Sequence, residues 1–205
     1  MPRFSTVVIV VIAILLGFLM IRHSMDSIER PDSDKDVKAA VSVAEQPLVP
    51  SFEDWREFSP PSGAFKVMFP SIPQNTSDSI LDRRLGVFLE YNTFIAPEEN
   101  GPIIVVTTIA YPKNIEEKQV EETLRGLVDD MLIRNKKNKL EYANLEMSSP
   151  HPSLDFSLIS DQLLMIGKVI LDKNMAYILT MANERAVFNS DELKFFLNSF
   201  TLNDK

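Results

Sequence analysis

The longest unbroken run of apolar residues lies at the start of the chain and contains no charged side chain. Phe4 to Ile21 is uncharged, Arg3 precedes it, and Arg22 and His23 follow it. A helix that crosses a bilayer needs about 20 apolar residues, whereas the apolar core of a secretory signal has about 7 to 15. No small-residue cleavage site directly follows the run. Residues 1–23 are therefore predicted to form a retained transmembrane anchor, and a long cleaved signal peptide is the alternative.

The basic residues around this run bear on which side of the membrane the rest of the chain occupies. Arg3 lies before the run, and Arg22, Arg30, Lys35 and Lys38 lie after it. Counted by the positive-inside rule alone, this places the large domain in the cytoplasm. The very short head before the run is instead typical of a signal-anchor. We therefore expect a single-pass protein of the bacterial inner membrane with an exported domain, and the cytoplasmic orientation is the alternative.

Residues 24–50 show no sustained apolar period and are rich in Asp, Ser, Lys, Ala and Pro. Such a segment buries too little apolar surface to offset its ordering entropy, so it is predicted to be a flexible linker. Asp32 to Asp36 begins like a calcium-binding loop. Val37 stands where that loop requires glycine, and Val43 stands where it requires glutamate. The acidic run is therefore predicted to be a solvated charge run.

Residues 51–205 carry short apolar patterns separated by turn residues, and they predict one folded domain. Ala64 to Phe69 alternates apolar and polar positions, which indicates a strand. Ile103 to Tyr111 is almost continuously β-branched, which is typical of a central strand covered on both faces. Tight connections such as Asp172 to Asn174 predict antiparallel hairpins. Further strands are predicted at Trp55–Phe58, Thr76–Leu81, Val87–Ile95, Leu140–Met147, Leu154–Ile159, Leu163–Leu171 and Met175–Ala182.

Two helices are predicted between and after these strands. The first is predicted to begin at Asn114, with Glu117 completing a capping box, and its apolar stripe runs from Val120 to Met131. The second, Asp191 to Asn198, follows a capping pattern that starts at Asn189. Antiparallel strands with separate helices predict an α+β domain, in which helices pack on one twisted antiparallel sheet. Basic residues mark the predicted end of the first helix: Arg134, Lys136, Lys137 and Lys139.

Composition and charge narrow the possible partners. The chain has 29 acidic and 21 basic residues, a formal net charge of −8 and no cysteine. A net acidic surface repels phosphate backbones, so no nucleic acid partner is expected. The lack of cysteine excludes disulfides, thiolate metal sites and a cysteine nucleophile.

Few residues have the spacing that catalysis requires. His151 with Asp155 and a nearby serine has the composition of a catalytic triad. The prolines on both sides of His151 favour an extended loop, and neighbours in sequence do not align a base with a nucleophile. The other histidine, His23, adjoins the membrane run, so a two-histidine metal site is not expected. No catalytic, cofactor-binding or metal-binding residue is predicted, no cofactor is expected, and the chain is predicted not to be an enzyme. The nearby serines are Ser148, Ser149 and Ser153.

Four aromatic residues near the start of the domain have two interpretations. Trp55, Phe58, Phe65 and Phe69 would line a ligand groove or form sheet core. Alternation along a strand places such residues on one buried face more often than in a groove, so core is predicted.

Two short motifs carry a resemblance to a known fold. The first is Trp55-x-x-Phe58, followed by Gly63-x-Phe65-x-Val67-x-Phe69-Pro70-x-x-Pro73. The second is Leu193-x-x-Phe196-Leu197-x-Ser199-Phe200. Together with the element order, they make Phe52 to Leu202 resemble the PsbP-like fold. That fold includes the photosystem II extrinsic protein, a Ran-binding nuclear import factor and bacterial envelope proteins such as the DcrB-like group. The resemblance implies a non-catalytic binding or assembly factor, with no shared active site.

These observations together predict a membrane-tethered, non-enzymatic domain. We expect it to bind a protein partner or to assist assembly of an envelope complex, with Phe4 to Ile21 in the membrane. The alternative is a small-ligand or lipid-binding module exposed at the membrane surface.

Overall fold

The structure is a computed structural model that describes residues 52–82, 86–98, 101–134 and 137–203. The predicted anchor, residues 1–23, and the predicted linker, residues 24–50, lie outside the described residues. Among the described residues, neither helix is long and apolar enough to cross a membrane.

Ten strands and two helices form the described part of the chain. The strands are β1 (Arg56–Phe58), β2 (Phe65–Phe69), β3 (Gln74–Asp82), β4 (Val87–Pro97), β5 (Ile103–Ala110), β6 (Lys139–Glu146), β7 (Ser153–Ser160), β8 (Leu163–Asp172), β9 (Met175–Glu184) and β10 (Thr201–Leu202). The helices are α1 (Val120–Arg134) and α2 (Ser190–Ser199), each preceded by a short 3-10 turn, Glu117–Gln119 and Arg185–Val187.

The strands form two antiparallel sheets. The main sheet has seven strands in the order β3-β4-β5-β9-β8-β7-β6, and a small sheet has three in the order β1-β2-β10. The predicted α+β class with antiparallel strands and helices is confirmed, but the strands divide into two sheets where one was expected. Pro70 and Pro73 lie between β2 and β3, and proline donates no amide hydrogen to a ladder. The chain therefore leaves the small sheet before it enters the main one.

The small sheet and α2 cover one face of the main sheet. Phe65, Val67 and Phe69 of β2 are fully buried there, as the alternation in this strand predicts. Ser199 joins the two elements, because its hydroxyl accepts from the Met68 amide at 2.9 Å and donates to the Phe196 carbonyl at 2.7 Å. The predicted core role is confirmed for Trp55, Phe65 and Phe69, whereas Phe58 is half-buried and packs against them. The buried residues on this side form the first core: Trp55, Phe65, Val67, Phe69, Phe94, Ala96, Ile104, Val106, Tyr177, Leu179, Met181, Leu193 and Phe196.

Helix α1 packs on the opposite face of the main sheet, where it contacts β6, β7 and β8. Its predicted apolar stripe is buried from Val120 to Val128, and Met131 is half-buried. Strand β5 supplies side chains to both faces, so the prediction of a central strand covered on both sides is confirmed. The α1 side forms the second core: Leu89, Ile109, Val120, Leu124, Leu127, Val128, Leu154, Phe156, Leu158, Val169, Leu171, Ala176 and Ile178.

The predicted start of α1 at Asn114 is wrong. The Tyr111 amide donates to the Asn174 carbonyl at 2.8 Å, and the Ile115 amide donates to the Lys173 carbonyl at 3.1 Å. These bonds hold the segment before the helix against the β8–β9 turn. Two amides of this segment therefore donate to carbonyls in a distant part of the chain. The helix therefore begins only at Val120.

The predicted basic end of α1 is also altered. The helix ends at Arg134, Lys139 opens β6, and the Lys137 ammonium pairs with the Asp161 carboxylate at 2.7 Å. Lys136 lies outside the described residues. Lys137 therefore lies in the turn after the helix and Lys139 in the edge strand β6, so neither belongs to the last turn of the helix.

Candidate binding surface

The β3–β4 hairpin projects beyond its neighbour in the sheet. β3 pairs with β4 over its whole length, down to the pair of Asp82 and Val87. β4 pairs with β5 only from Glu90 onwards. The residues past that point, Ile80–Asp82 and Val87–Leu89, form what we call the hairpin arm. Leu89 of the arm is buried in the second core, so one face of the arm is fixed to the domain.

The other face of the hairpin arm presents two large apolar side chains. Leu81 and Phe88 lie directly opposite each other in the ladder and are 49% and 64% exposed. We call these two residues the apolar pair. From the sequence alone, the apolar side chains of Phe88 and Phe94 on this face suggest partial cover; Phe94 is buried, but Phe88 is exposed. Glu90 and Asn92 share that face, and this polar alternation was the available signal that the arm is open there.

Strand β3 is an edge of the main sheet, and two hydrogen bonds identify the backbone groups that point away from β4. The Gly86 amide donates to the Asp82 carbonyl across the turn at 2.8 Å, so that carbonyl points towards β4. The Ser79 amide donates instead to Oδ1 of Asp78 at 2.8 Å. Since successive residues of an antiparallel strand alternate between pointing towards and away from their partner, the outward groups belong to Asn75, Ser77, Ser79 and Leu81.

The two edges of the main sheet differ in regularity. β3 pairs with β4 in one continuous register, whereas the pairing of β6 with β7 is interrupted between Leu140 and Tyr142. A bulge and an edge lysine such as Lys139 of β6 are common protections against further strand pairing. Within Gln74–Asp82 there is no bulge, proline or lysine. By these two measures β3 is the less protected edge, although the Asp78 carboxylate covers one of its outward amides.

The hairpin is acidic in the part that the structure describes. Residues 70–82 and 86–98 contain no lysine or arginine, and Arg83 and Arg84 of the turn lie outside the described residues. The acidic residues of these two ranges are Asp78, Asp82, Glu90 and Glu98. A basic partner would be favoured along this strand pair.

A groove of about 400 Å³ lies between the hairpin arm and the start of α1. Val87, Tyr111 and Ile115 supply apolar surface within it, whereas Glu122 adds a carboxylate. The segment before α1, whose Tyr111 and Ile115 amides bond to the β8–β9 turn, forms one wall of this groove. Its lining residues are Asp82, Val87, Tyr111, Pro112, Lys113, Asn114, Ile115, Glu116, Gln119, Glu122 and Thr123.

The triad that the sequence analysis considered is divided between different partners. Nδ1 of His151 lies 3.5 Å from Oδ1 of Asp172, and Oδ1 of Asp155 lies 3.2 Å from the Lys168 ammonium. Ser153 is buried at the start of β7. The described residues contain no group of three or more His, Asp or Glu side chains placed to hold a metal ion.

Two carboxyl groups interact across a long sequence separation. Burial raises the pKa of Glu98, at the end of β4, above its ordinary value. The pKa of Glu192, in the first turn of α2, is raised by burial and then by the charge of Glu98. Because Glu98 and Glu192 lie far apart in the sequence, nothing in their spacing indicated that the two carboxyl groups approach each other.

No protein-family model matches the chain, and no curated protein matches it. The solution structure of cyanobacterial PsbP (CyanoP) from Synechocystis is similar, with a TM-score of 0.52 and 9% sequence identity over 82% of this chain and 99% of that chain. The chain has a PsbP-like fold. This similarity confirms the resemblance to the PsbP-like fold that the two sequence motifs predicted.

A second solved structure, from Bacteroides thetaiotaomicron, aligns with a TM-score of 0.45 and 10% identity over 74% of this chain and half of its own length. At these identities the likeness to PsbP shows the fold alone. The surface around the β3–β4 hairpin must therefore be interpreted from its own residues.

Proposed function

We propose that this PsbP-like domain is a membrane-anchored, non-enzymatic module that binds a protein partner or assists assembly of an envelope complex. The observation that supports this most is the apolar pair, Leu81 and Phe88, exposed on the hairpin arm. Apolar side chains that are exposed next to each other and rimmed by polar residues indicate an interaction site, whereas singly exposed ones do not. Here the rim includes Ser79 and Glu90, whose side chains hydrogen bond to each other at 2.8 Å.

A binding role is favoured over catalysis by how the ionisable groups are used. In the described part of the chain, His151 makes no hydrogen bond to a serine, and its nearest acid is Asp172. Burial raises the pKa values of Glu98 and Glu192, and the charge of Glu98 raises the pKa of Glu192 further, so these two carboxyl groups interact with each other. Geometry that joins nucleophile, base and orienting group is what catalysis requires.

The proposed anchor and linker give this binding role its setting. Residues 1–23 would hold the chain in the bacterial inner membrane with the domain exported, and residues 24–50 would set its reach. A tether of this kind raises the effective concentration of the domain for membrane-bound partners without any new contact.

The groove supports a second function, the binding of a small ligand at the membrane surface. Its volume of about 400 Å³ falls within the range of about 300 to 1,000 Å³ typical of small-molecule sites. Asp82, Glu116 and Glu122 contribute acidic groups, and Lys113 one basic group. This mixed, charged lining favours a polar ligand over a lipid chain.

Site-specific photo-crosslinking in intact membranes separates the two functions. A photoreactive phenylalanine analogue at Phe88 of the full chain is expected to give a discrete adduct with a protein. The same analogue at Ile133, which is 75% exposed on α1, serves as the control and is expected to give none. If Phe88 gives no protein adduct and the purified chain carries a bound small molecule in native mass spectrometry, the proposal is wrong and the alternative replaces it.

A further inference from the structure

We propose that the β3 edge accepts an antiparallel strand from the protein partner, and that this strand carries a basic residue opposite Asp78 and an apolar residue opposite Leu81. This inference rests on the proposed protein-binding function and specifies how the partner docks. It names a strand segment with the order apolar-x-x-basic, read from its amino end. In an antiparallel pair the position opposite Leu81 comes three residues before the position opposite Asp78.

The backbone of β3 provides the hydrogen bonds for such an addition. The amide and carbonyl groups of Asn75, Ser77 and Leu81 point away from β4, as derived above from the Asp82 and Ser79 hydrogen bonds. In the described residues β3 pairs with β4 alone. An added strand would continue the antiparallel ladder, and this is a common way for an extended peptide to bind a sheet.

The side chains of β3 determine which partner strand fits. Directly opposite residues of an antiparallel pair share a face and lie about 4.5 to 5.5 Å apart at Cβ. Asp78 is half-buried on the α1 face, and its nearest neighbours in the described hairpin include no basic side chain. A lysine or arginine opposite it would supply that charge. On the other face, an apolar residue opposite Leu81 would extend the apolar pair.

Asp78 also controls the edge when the partner is absent. Its Oδ1 atom accepts from the outward-facing Ser79 amide, so one of the outward donors is occupied within the strand. An incoming strand would replace this bond with a ladder hydrogen bond, which frees the carboxylate to meet a basic side chain. The charge of the partner is therefore coupled to backbone pairing.

A second copy of this chain fits the edge poorly. Antiparallel pairing of two β3 strands centred on Asp78 places the two Asp78 carboxylates opposite each other. If the register moves by one hydrogen-bonded residue pair in either direction, the two carboxylates become diagonal neighbours. Like charges in these positions destabilise a strand pair. A basic segment of another protein is therefore the occupant that the charges of this edge favour.

The test uses the full chain in detergent micelles and a synthetic peptide, Thr-Val-Thr-Thr-Lys-Thr-Val, whose valine and lysine have the proposed spacing. We expect the peptide to bind and to slow amide hydrogen exchange at Asn75, Ser77 and Leu81. A matched peptide with glutamate for lysine is expected to bind about tenfold more weakly, because an attractive cross-strand charge pair becomes repulsive. Added salt should reduce the difference between the two peptides.

Two variants test the backbone and the charge separately. Ser77→Pro removes an outward amide that β4 does not use, and we expect it to lose peptide binding by about tenfold or more. Ser77→Thr keeps that amide and is the matched control. Asp78→Lys is expected to reverse the preference, so that the glutamate peptide binds more tightly than the lysine peptide. This reversal keeps the test decisive even if Ser77→Pro fails to fold.

The inference is overturned if neither peptide binds, if both bind equally, or if the protected amides lie in the groove or on β6. It is also overturned if Ser77→Pro folds and still gives the protein adduct at Phe88. In that last case the proposed protein-binding function stands and only the docking mode is wrong. If the photoreactive analogue at Phe88 gives no protein adduct in a chain without any further substitution, the proposed function itself is contradicted.

Discussion

Gly167, in the middle of β8, provides a sharp test of how tightly the main sheet packs beneath α1. A Cβ atom at this position would lie 2.9 Å from Cζ of Phe156 and 2.9 Å from Cγ2 of Thr180. It would also collide with the backbone carbonyl of Leu179 in the neighbouring strand β9. A side-chain methyl can rotate away, but a carbonyl within a paired strand moves only if the strand moves.

Gly167→Ala is therefore expected to lower the free energy of unfolding by about 2 to 3 kcal/mol, which is the upper part of the range for overpacked cores. For a domain of this size, that corresponds to a decrease in Tm of roughly 5 to 10 °C. Urea unfolding of the full chain, followed by Trp55 fluorescence, measures the effect. Trp55 is the single tryptophan and makes edge contacts with the rings of Phe52 and Phe195, so its emission reports on tertiary packing.

Gly63→Ala is the matched control for this measurement. Gly63 has a φ of +65°, and a Cβ there meets no atom within 4 Å, so only the backbone cost applies. That cost is expected to be about 1 kcal/mol. If Gly167→Ala unfolds at the same urea concentration as the parent chain, the packing of β8 against β9 described here is wrong.

Four further predictions concern other parts of the domain. Ser199→Ala should cost about 1 to 3 kcal/mol in urea unfolding, since it leaves the Met68 amide without an acceptor. Asn189→Ala should cost about 1 kcal/mol, because its side chain caps α2 by accepting from the amides of the first turn. Glu98→Gln should remove a loss of stability that develops in the parent chain as pH rises from the ordinary glutamate pKa through the raised pKa of Glu98. Phe88→Ser should change unfolding by no more than about 0.5 kcal/mol, since the ring is largely exposed, while it weakens partner binding.

Each of these has an outcome that contradicts it. Unchanged stability for Ser199→Ala would show that the amide has another acceptor, and for Asn189→Ala that α2 needs no side-chain cap. The sign for Glu98 follows from its raised folded pKa: the ionised group is penalised by burial, so the parent chain and the variant should agree in acid and diverge towards neutral pH. Divergence in acid instead would contradict the burial argument. Unfolding of Phe88→Ser at much lower urea would show that the ring belongs to the core.

Much of the fold follows from local sequence patterns. The alternation from Phe65 to Phe69 predicts a strand with one buried face, and the continuous run from Ile103 predicts a strand covered on both faces; both are confirmed. The start of α1 could not be predicted, since the amides of Tyr111 and Ile115 bond to carbonyls in a turn about 60 residues further along the chain. Local capping signals carry no information about such partners.

The candidate binding surface was beyond sequence reasoning for a similar reason. Leu81 and Phe88 have the pattern of ordinary strand residues. They are exposed on a hairpin arm that extends past the end of β5, whereas Phe94 on the same face of β4 is buried in the first core. How far one strand overshoots its neighbour is set by register across the whole sheet. The edge position of β3 likewise depends on strand order, which short apolar patterns do not specify.

The position of Ser199 and β10 against β2 has a consequence for how the domain is made. In the described residues, β2 obtains its second neighbour from Thr201 and Leu202 of β10, more than 130 residues further along the chain. During synthesis, the rings of Phe65 and Phe69 therefore stay incompletely covered until α2 and β10, which bring Phe196 and Phe200 against them, have left the ribosome. A chain that stops short of α2 would keep these rings accessible to chaperones and proteases, so truncated copies would be recognised and degraded rather than retained.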